Sequence, residues 1–304
     1  MSKIVGITGI GIMGSAMSAN LIKAGFEVVG FDPSPEATAA HKARGGTVAD
    51  SPREVAEGAP IIISSLPSAG ALLDVATGIA TAKGQGQIVI ECSTLPLDAK
   101  HQAHEILAKS GKTLLDCPVS GTGAQAARKD LVVFASGDAD ACERCEAVFD
   151  GMSRRRKYLG PFGHGSVMKY LANLLVTIHN VATAEAMVLG IKAGLDPALI
   201  YDTLADSAAT SRMLEVRGPL MRDNSYDEPT ATIKTHMKDM ATIEAFANGL
   251  GCPTPLFAVA SQIHYAGAGQ GRAHQDTAAV CAVLENMAGV KRSASPSQAK
   301  RKDA

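Results

Sequence analysis

The sequence lacks an excess of charge of either sign. Lys and Arg together number 29, Asp and Glu together number 30, and the formal net charge is -1. Proteins that bind nucleic acid or an anionic membrane surface normally carry a positive field, which this composition does not supply. The balance favours chemistry on a small molecule and predicts neither a nucleic-acid partner nor a membrane partner.

Long apolar runs and targeting signals are also missing from the sequence. No stretch of about 18 apolar residues, the length that spans a bilayer, occurs in it. The first residues do not combine a basic start, an apolar core and a small-residue cleavage site. We therefore expect a cytoplasmic protein.

Cysteine is sparse, with 6 residues among 304. Thiols scattered through a long chain indicate reduced cysteines rather than a disulfide framework. Cys142 and Cys145 form a C-x-x-C pair, but they lie in a stretch with a helical pattern, 138–149, and we interpret them as ordinary helix residues. His101 and His104 could share a helix face without a third ligand, so no metal site is predicted.

The length of the chain favours two domains, because a single core rarely serves 304 residues. In the first half, short β-branched runs alternate with helical patterns. The predicted strands are 4–8, 28–31, 61–64, 88–91, 113–115 and 131–134. This alternation is typical of an α/β fold of the Rossmann type, a doubly wound and mostly parallel sheet with helices on both faces. Ligands of such sheets bind beyond the carboxyl ends of the strands.

The second half has a helical pattern throughout. A long helix over 166–193 is apolar on most of its circumference, as expected for a helix buried on several sides. Further helices are predicted over 197–206, 235–248, 255–266 and 276–288. The expected organisation is a dinucleotide-binding domain over 1–162, an all-α domain over 163–290 that begins with the long interdomain helix, and a polar tail over 291–304 that we expect to be disordered.

A glycine-rich turn follows the first predicted strand. Gly9, Gly11 and Gly14 form a G-x-G-x-x-G run that contains Ile12 and Met13, and a helix follows. Such glycines let the backbone turn tightly and approach a pyrophosphate, which the positive end of the helix stabilises. With a strand before it and a helix after it, the run predicts a binding site for a nicotinamide dinucleotide.

Asp32 indicates which dinucleotide is preferred. It lies at the tip of the second predicted strand, where a carboxylate accepts hydrogen bonds from the adenosine ribose and repels a 2′-phosphate. Pro33 and Ser34 follow it, so no adjacent Arg offsets the repulsion. Arg44 is the residue that could fold back and supply a phosphate partner. The sequence favours NAD over NADP.

Three further segments follow the glycine-rich turn in a characteristic order. They are DCPVSG at 116–121, the run Gly160-x-x-Gly163-x-Gly165-x-x-x-Lys169-x-x-x-Asn173, and Lys238-Asp239. Together with the turn, they closely resemble the β-hydroxyacid dehydrogenase family, whose members include 3-hydroxyisobutyrate dehydrogenase and tartronate semialdehyde reductase. The resemblance covers roughly residues 3–288, and four separated motifs in register are more specific than any one of them.

The resemblance implies a catalytic pair. It assigns Lys169 as the acid and base and Asn173 as a residue that helps to hold the substrate. Helix spacing supports the pairing, because positions i and i+4 lie on one face. Partial burial and the positive nicotinamide ring of the oxidised cofactor should both lower the pKa of Lys169.

The resemblance also implies three groups of binding residues. The substrate carboxylate would be bound by Ser120, Gly121 and Thr122. The nicotinamide side would be lined by Leu66, Pro67 and Thr94. Lys238 would reach the cofactor from the second domain.

Three positions depart from the family pattern. The family usually has Gly where Thr122 stands and commonly Gly where Lys129 stands, and either change could reshape the acid-binding loop. A Phe is frequent where this chain has Ala231. His236 is an unusual residue nearby, but a lone His is more often structural, so it is not part of the predicted site.

The sequence thus predicts an NAD-dependent oxidoreductase that interconverts a small hydroxy acid and its oxo acid or semialdehyde by hydride transfer. One alternative is a catalytically silent cofactor-binding interaction module, which the retention of Lys169, Asn173 and Ser120 disfavours. Another is an imine reductase of the same architecture, which generally carries a different residue at the lysine position. A homodimer or homotetramer is expected, as is common in the family.

Overall fold

The computed structural model describes residues 3–292 of the chain. Packing divides the chain into two units, Met1–Lys169 and Tyr170–Ala304, and the division falls inside one long helix. The predicted boundary after residue 162 lies just before this helix. From residue 293 on, the tail that we expected to be disordered lies outside the described residues.

A parallel sheet forms the centre of the first unit. Its strands are β1 (Ile4–Thr8), β2 (Glu27–Phe31), β3 (Thr47–Val48), β4 (Ile61–Ser64), β5 (Ile88–Glu91) and β6 (Thr113–Asp116). Their order across the sheet is β3-β2-β1-β4-β5-β6. The order reverses between β1 and β4, which is the switch point where ligands bind in sheets of this kind.

Helices cover this sheet on both faces. They are α1 (Ile12–Lys23), α2 (Pro35–Ala43), α3 (Pro52–Gly58), α4 (Ala69–Ala80) and α5 (Leu97–Lys109). Neighbouring residues in one strand, such as Ile62 and Ile63, are both fully buried. Burial on both faces explains why the strands are continuous β-branched runs. The predicted Rossmann-type fold is confirmed.

A second, three-stranded sheet completes the first unit. It consists of β7 (Val119–Ser120), β8 (Val132–Ala135) and β9 (Arg155–Tyr158), with helices α6 (Gly123–Ala127), α7 (Ala139–Arg144) and α8 (Glu146–Met152). The helical stretch predicted over 138–149 is two helices, which meet at Cys145. Strand β9 was not predicted because Arg155, Arg156 and Lys157 give it no apolar pattern.

The second unit is helical over its described residues. Helix α9 (His164–Lys192) starts in the first unit, and α10 (Pro197–Ala205), α11 (Arg212–Arg222), α12 (Ile233–Gly249), α13 (Pro255–Gly267) and α14 (Val280–Ala288) follow. Helix α11 was not predicted, because Gly218 and Pro219 interrupt its pattern. A π-helical turn, Ala268–Arg272, and a 3₁₀ turn, Thr277–Ala279, precede α14.

Helix α9 is long and apolar enough to cross a membrane by length and composition alone, and 39% of its most apolar window is buried within the protein. Helices in the cores of globular proteins pass the same test. Val181, Ala184 and Met187 of α9 pack with Ile233 and Val280 in the core of the second unit. This packing accounts for one side of the helix, whereas Leu175 and Leu189 are 50% and 73% exposed, so α9 is less buried than its sequence predicted.

Candidate functional site

The glycines of the turn after β1 meet three different requirements. Gly9 has a φ of +84°, a left-handed conformation that favours glycine, and a Cβ there would overlap the Ser65 carbonyl oxygen. A Cβ at Gly14 would overlap the Gly9 carbonyl oxygen, so α1 packs directly on the turn. At Gly11, a Cβ would have no heavy atom of the described residues within 4 Å. The turn therefore leaves an open approach at its second glycine, as a pyrophosphate requires.

The start of α1 supplies donors for an anion at this approach. Gly11 is the N-cap and has no side chain to cover the first turn. Ile12 and Met13 are the first two residues of the helix, where backbone N–H groups have no partner within the helix. Ile12 is 80% exposed. These N–H groups and the positive end of the helix fit the phosphates of a dinucleotide.

Asp32 fastens the turn to the end of β2. Its Oδ2 accepts a hydrogen bond of 2.7 Å from the Ile10 backbone N–H, and its Oδ1 accepts one of 2.9 Å from the Ser34 N–H. A carboxylate has about four lone-pair sites, so the two bonds leave capacity for the hydroxyls of an adenosine ribose. The position and the remaining acceptor capacity fit NAD. Arg44 is exposed at the C-cap of α2.

The loops after β4 and β5 are joined by hydrogen bonds next to the glycine-rich turn. The Leu66 N–H donates to the Ser93 Oγ at 2.7 Å, and the Ser93 N–H donates to the Glu91 Oε1 at 2.7 Å. A Cβ at Gly9 would lie 3.1 Å from the Leu66 Cδ2. Leu66, with Pro67 next to it, and Thr94 are thus brought to the same edge of the sheet as the glycine-rich turn.

The predicted acid-binding loop lies next to the start of α1. Ser120 ends β7 and is partly exposed, and Gly121 has a φ of +140°. Thr122 caps α6: its Oγ1 accepts from the Gln125 N–H, and the Gln125 side chain accepts from the Thr122 N–H. A Cβ at Gly123 would lie 2.6 Å from the Ile12 Cγ2, which places the loop beside the cofactor turn.

The two departures from the family's glycine pattern have local consequences. Thr122 gives α6 a capping box, which a glycine could not form. Lys129 has a φ of +62°. This left-handed conformation costs a side-chain-bearing residue about 1–2 kcal/mol, so the backbone at this position suits the glycine that is common in the family.

The glycines before Lys169 shape the start of α9. Gly160 and Gly163 have φ values of +90° and +95°. A Cβ at Gly165 would overlap the Phe134 carbonyl oxygen and would lie 2.6 Å from the Asp116 carbonyl oxygen. The helix therefore starts in direct contact with the ends of β6 and β8. Lys169 follows in its second turn and is partly buried.

A buried charged cluster lies next to this contact, and no motif of the sequence predicted it. Glu91, Lys100 and Asp116 each have side chains that are 0% exposed. The Lys100 Nζ is 2.7 Å from the Asp116 Oδ1 and 3.9 Å from the Glu91 Oε1. Burial lowers the pKa of Lys100, but the two carboxylates outweigh burial and raise it above its usual value. The one signal in the sequence is a lysine on the apolar face of α5, next to Ala99 and Ala103.

In the second unit, Asp239 and Thr177 hold Asn173 in place. The Asn173 Nδ2 donates to the Asp239 Oδ2 at 2.9 Å, and the Lys238 Nζ is 3.1 Å from the Asp239 Oδ1. The Thr177 Oγ1 donates to the Asn173 carbonyl oxygen at 2.8 Å and lies 2.8 Å from the Nε2 of buried His236. Asn173 and Lys238 are therefore both neighbours of Asp239, a residue of the Lys238-Asp239 motif for which the sequence suggested no role.

Cys142 and Cys145 are buried residues of the first unit's core. Burial raises the pKa of Cys142 and raises that of Cys145 to about 12, so both thiols stay protonated at neutral pH. Within residues 3–292, no three His, Cys, Asp or Glu side chains come together as a metal site requires.

Comparison with known proteins places these features in a family. Residues 4–160 match the family model of the NAD binding domain of 6-phosphogluconate dehydrogenase. Residues 163–284 match the model described as NAD-binding of NADP-dependent 3-hydroxyisobutyrate dehydrogenase. The two matches follow each other along almost the whole described chain.

Individual relatives are similar over their full length. L-threonate dehydrogenase from Cupriavidus necator is 32% identical over 288 residues, which cover 93% of this chain and 97% of that protein. NAD-dependent L-serine dehydrogenase from Pseudomonas aeruginosa is 32% identical, covering 91% of this chain and 96% of that protein. The structure of 3-hydroxyisobutyrate dehydrogenase with L-serine from Mycobacterium tuberculosis has a TM-score of 0.87 at 27% identity, covering 93% of this chain and 99% of that one. The chain belongs to the β-hydroxyacid dehydrogenase family of NAD(P)-binding oxidoreductases.

Proposed function

We propose that this dehydrogenase interconverts a small hydroxy acid and its oxo acid or semialdehyde with NAD, and that Lys169 moves the hydroxyl proton. The observation that carries the assignment of Lys169 is its place on α9. It lies one turn after a segment bonded to the end of β6, and four residues before Asn173. Positions i and i+4 share a helix face, so both side chains serve one substrate.

The glycine-rich turn and Asp32 would hold the nicotinamide cofactor, which would supply the acceptor or donor of hydride for the carbinol carbon. The chain supplies the rest of the chemistry. In the oxidation direction, the neutral Lys169 amine accepts the proton from the substrate hydroxyl oxygen, and in reduction its ammonium donates the proton to the carbonyl oxygen. Asn173, held by Asp239, orients the substrate, and Lys238 contacts the cofactor.

The acid-binding loop determines the class of substrate in this proposal. The Ser120 hydroxyl and the backbone N–H groups of Gly121 and Thr122 bind the substrate carboxylate. The names of the relatives support this class, because L-threonate and L-serine each combine a carboxylate with a hydroxyl group. NAD reduction should therefore be screened with L-threonate, L-serine, 3-hydroxyisobutyrate, glycerate and 3-hydroxypropionate.

Replacing Lys169 tests the assignment. We expect Lys169→Ala to lower kcat by about two to four orders of magnitude, the usual contribution of a positioned acid or base, with NAD affinity retained. Lys169→Arg should not restore activity, because arginine does not release its proton at working pH. Lys192→Ala, in the last turn of the same helix, is the control and should leave kcat unchanged. Near-normal turnover of Lys169→Ala with the best substrate of the screen would contradict the assignment.

Imine reduction is the competing enzyme function. The imine reductase from Streptomyces aurantiacus has a TM-score of 0.62 at 19% identity, a likeness that concerns the fold alone. The proton-transferring Lys169 favours a carbinol substrate. Turnover of a cyclic imine without turnover of any hydroxy acid would favour the alternative, and NAD binding without either activity would favour a silent interaction module.

We further propose a cytoplasmic homodimer or homotetramer. Leu189 of α9 and Met287 of α14 are 73% and 68% exposed on the second unit. Apolar side chains of this size on a surface favour contact with another subunit.

A further inference from the structure

The cluster of Glu91, Lys100 and Asp116 has no task in the reaction as described so far. Removing three ionisable groups from water is costly, and such a cluster persists only when its members are paired and hydrogen-bonded. Lys100 meets this condition through Asp116 at 2.7 Å and through a hydrogen bond of 2.7 Å to the Ser93 carbonyl oxygen. Glu91 and Asp116 end neighbouring strands and are paired in register.

The Asp116 side chain also reaches the first turn of α9. The Ser166 N–H donates to its Oδ2 at 2.7 Å, and the Ser166 Oγ donates to its Oδ1 at 2.8 Å. One residue earlier, the Gly165 N–H donates to the Ser136 Oγ at 2.9 Å, and that hydroxyl donates to the Asp116 carbonyl oxygen at 3.0 Å. A carboxylate at a helix N-terminus satisfies free N–H groups and is stabilised by the helix dipole.

The carboxylate is fixed in orientation as well as in place. Its Oδ1 is bonded from two sides, by Lys100 and by the Ser166 hydroxyl, while its Oδ2 holds the Ser166 N–H. Rotation of the carboxylate would break all three bonds at once. The first turn of α9 therefore has one position relative to the end of β6.

Lys169 comes three residues after Ser166, one turn along the same helix face. A helix transmits a displacement of its first turn to the next turn, because their backbone hydrogen bonds are shared. We propose that Asp116, held by Lys100, is a positioning residue for catalysis: it fixes the first turn of α9 through Ser166 and so sets the position of Lys169. The inference rests on the proposed function of Lys169 and adds the part of the chain that places it.

A double-mutant cycle tests the coupling. Ser166→Ala removes one bond to the carboxylate and keeps the backbone N–H bond, so this variant should fold. We expect its kcat to fall about tenfold, a loss in keeping with a small misplacement of a catalytic group, while KM for NAD stays within about twofold. In the Lys169→Ala background the same substitution should change kcat by less than about twofold. Ser153→Ala, which removes the bond from a buried hydroxyl to the Phe149 carbonyl oxygen, is the control with unchanged kcat in both backgrounds.

A second readout separates positioning from general stability. If Lys169 is misplaced, proton transfer limits the rate more strongly, so the solvent deuterium isotope effect on kcat should increase in Ser166→Ala and not in Ser153→Ala. Asp116→Asn, where it folds, should lower kcat and increase the solvent isotope effect more than Ser166→Ala does. An equal loss in both backgrounds, or no loss in Ser166→Ala, overturns the inference. Near-normal turnover in Lys169→Ala overturns the proposed function instead, so the two failures are distinguishable.

Discussion

Asp32 is the residue whose side chain connects the glycine-rich turn to the end of β2. Its two oxygens accept from the N–H groups of Ile10 and Ser34, at 2.7 and 2.9 Å. The carboxylate therefore holds the backbone of the glycine-rich turn, and we propose that it also meets the ribose of a bound NAD. A substitution at this residue acts on the shape of the turn as well as on the choice of cofactor.

Cofactor preference is the prediction that belongs to Asp32. A carboxylate near a 2′-phosphate faces repulsion, and a discrimination of about 1–3 kcal/mol corresponds to roughly 5- to 150-fold preference for NAD in kcat/KM. Asp32→Asn should weaken NAD use, and adding Ser34→Arg should shift efficiency further toward NADP. Steady-state kinetics with both cofactors measures the ratio. Equal or better efficiency of the unmodified enzyme with NADP would contradict the role of Asp32 and would implicate Arg44.

Among the secondary-structure elements, α9 has a start that is fixed by contacts with the sheet. Its 29 residues begin against the carbonyl ends of β6 and β8, and only glycine fits at its second position. The Asp116 carboxylate, 50 residues earlier in the chain, bonds the Ser166 N–H in its first turn. The glycine lead-in that marks the family thus has a steric cause, since it allows the helix to approach the sheet closely enough for Asp116 to reach it.

The close contact between the start of α9 and the sheet predicts that Gly165→Ala lowers both stability and activity. The added methyl group would overlap the Phe134 carbonyl oxygen, and backbone atoms cannot yield without moving the helix. We expect a loss of about 1–3 kcal/mol in the free energy of unfolding and a fall in kcat that exceeds the fall in NAD affinity. Gly70→Ala in α4, where a Cβ would meet the Ser68 Oγ only at 4.0 Å, is the control. It should stabilise the protein by up to about 1 kcal/mol in urea unfolding, because alanine favours the helix. Equal effects of the two substitutions would contradict the steric argument.

For the whole molecule, buried histidines link stability to pH. His41 in the first unit and His264 in the second are 1% and 0% exposed. Burial lowers the pKa of each from the usual 6.5, although backbone hydrogen bonds oppose the shift. Both units therefore contain a histidine that is neutral when folded and can take up a proton when unfolded.

Acid should destabilise the protein for this reason. Below pH 6.5 the unfolded chain protonates these histidines while the folded chain does not, so the unfolded state binds more protons. The free energy of unfolding should therefore fall with pH from about 6.5 down to the folded pKa values, by about 1.4 kcal/mol per pH unit for each such group. Melting temperatures between pH 7.5 and 5.5 measure the slope.

A variant pair identifies the source of that slope. His264→Leu should make the decline in melting temperature with falling pH shallower. The unfolded chain of this variant takes up one proton fewer, so acid favours unfolding less strongly. His274→Gln should leave it unchanged, because His274 is exposed in the folded protein as well. A slope that is the same in all three proteins would assign acid sensitivity to other groups.

The sequence alone determined the class of fold and the type of chemistry, because both depend on local patterns. β-Branched runs set the strands of the main sheet, with β1, β4 and β5 predicted at their observed bounds. Helical periodicity predicted α9, which begins two residues earlier than expected, at His164. The glycine-rich turn and Asp32 predicted a dinucleotide-binding site, because their spacing alone places them at the ends of adjacent strands.

Only the tertiary structure decided how the site is held. Lys100 and Asp116 are separated along the chain, and their buried pairing exists because α5 packs its apolar face, with Lys100 on it, against the sheet. The short strands β3 and β7 form because neighbouring strands offer them hydrogen-bond partners. A strand of two residues is too short for its periodicity to be recognised in the sequence. Contacts between residues far apart in sequence depend on packing, and packing leaves no local pattern from which Asp116 could be assigned to the start of α9.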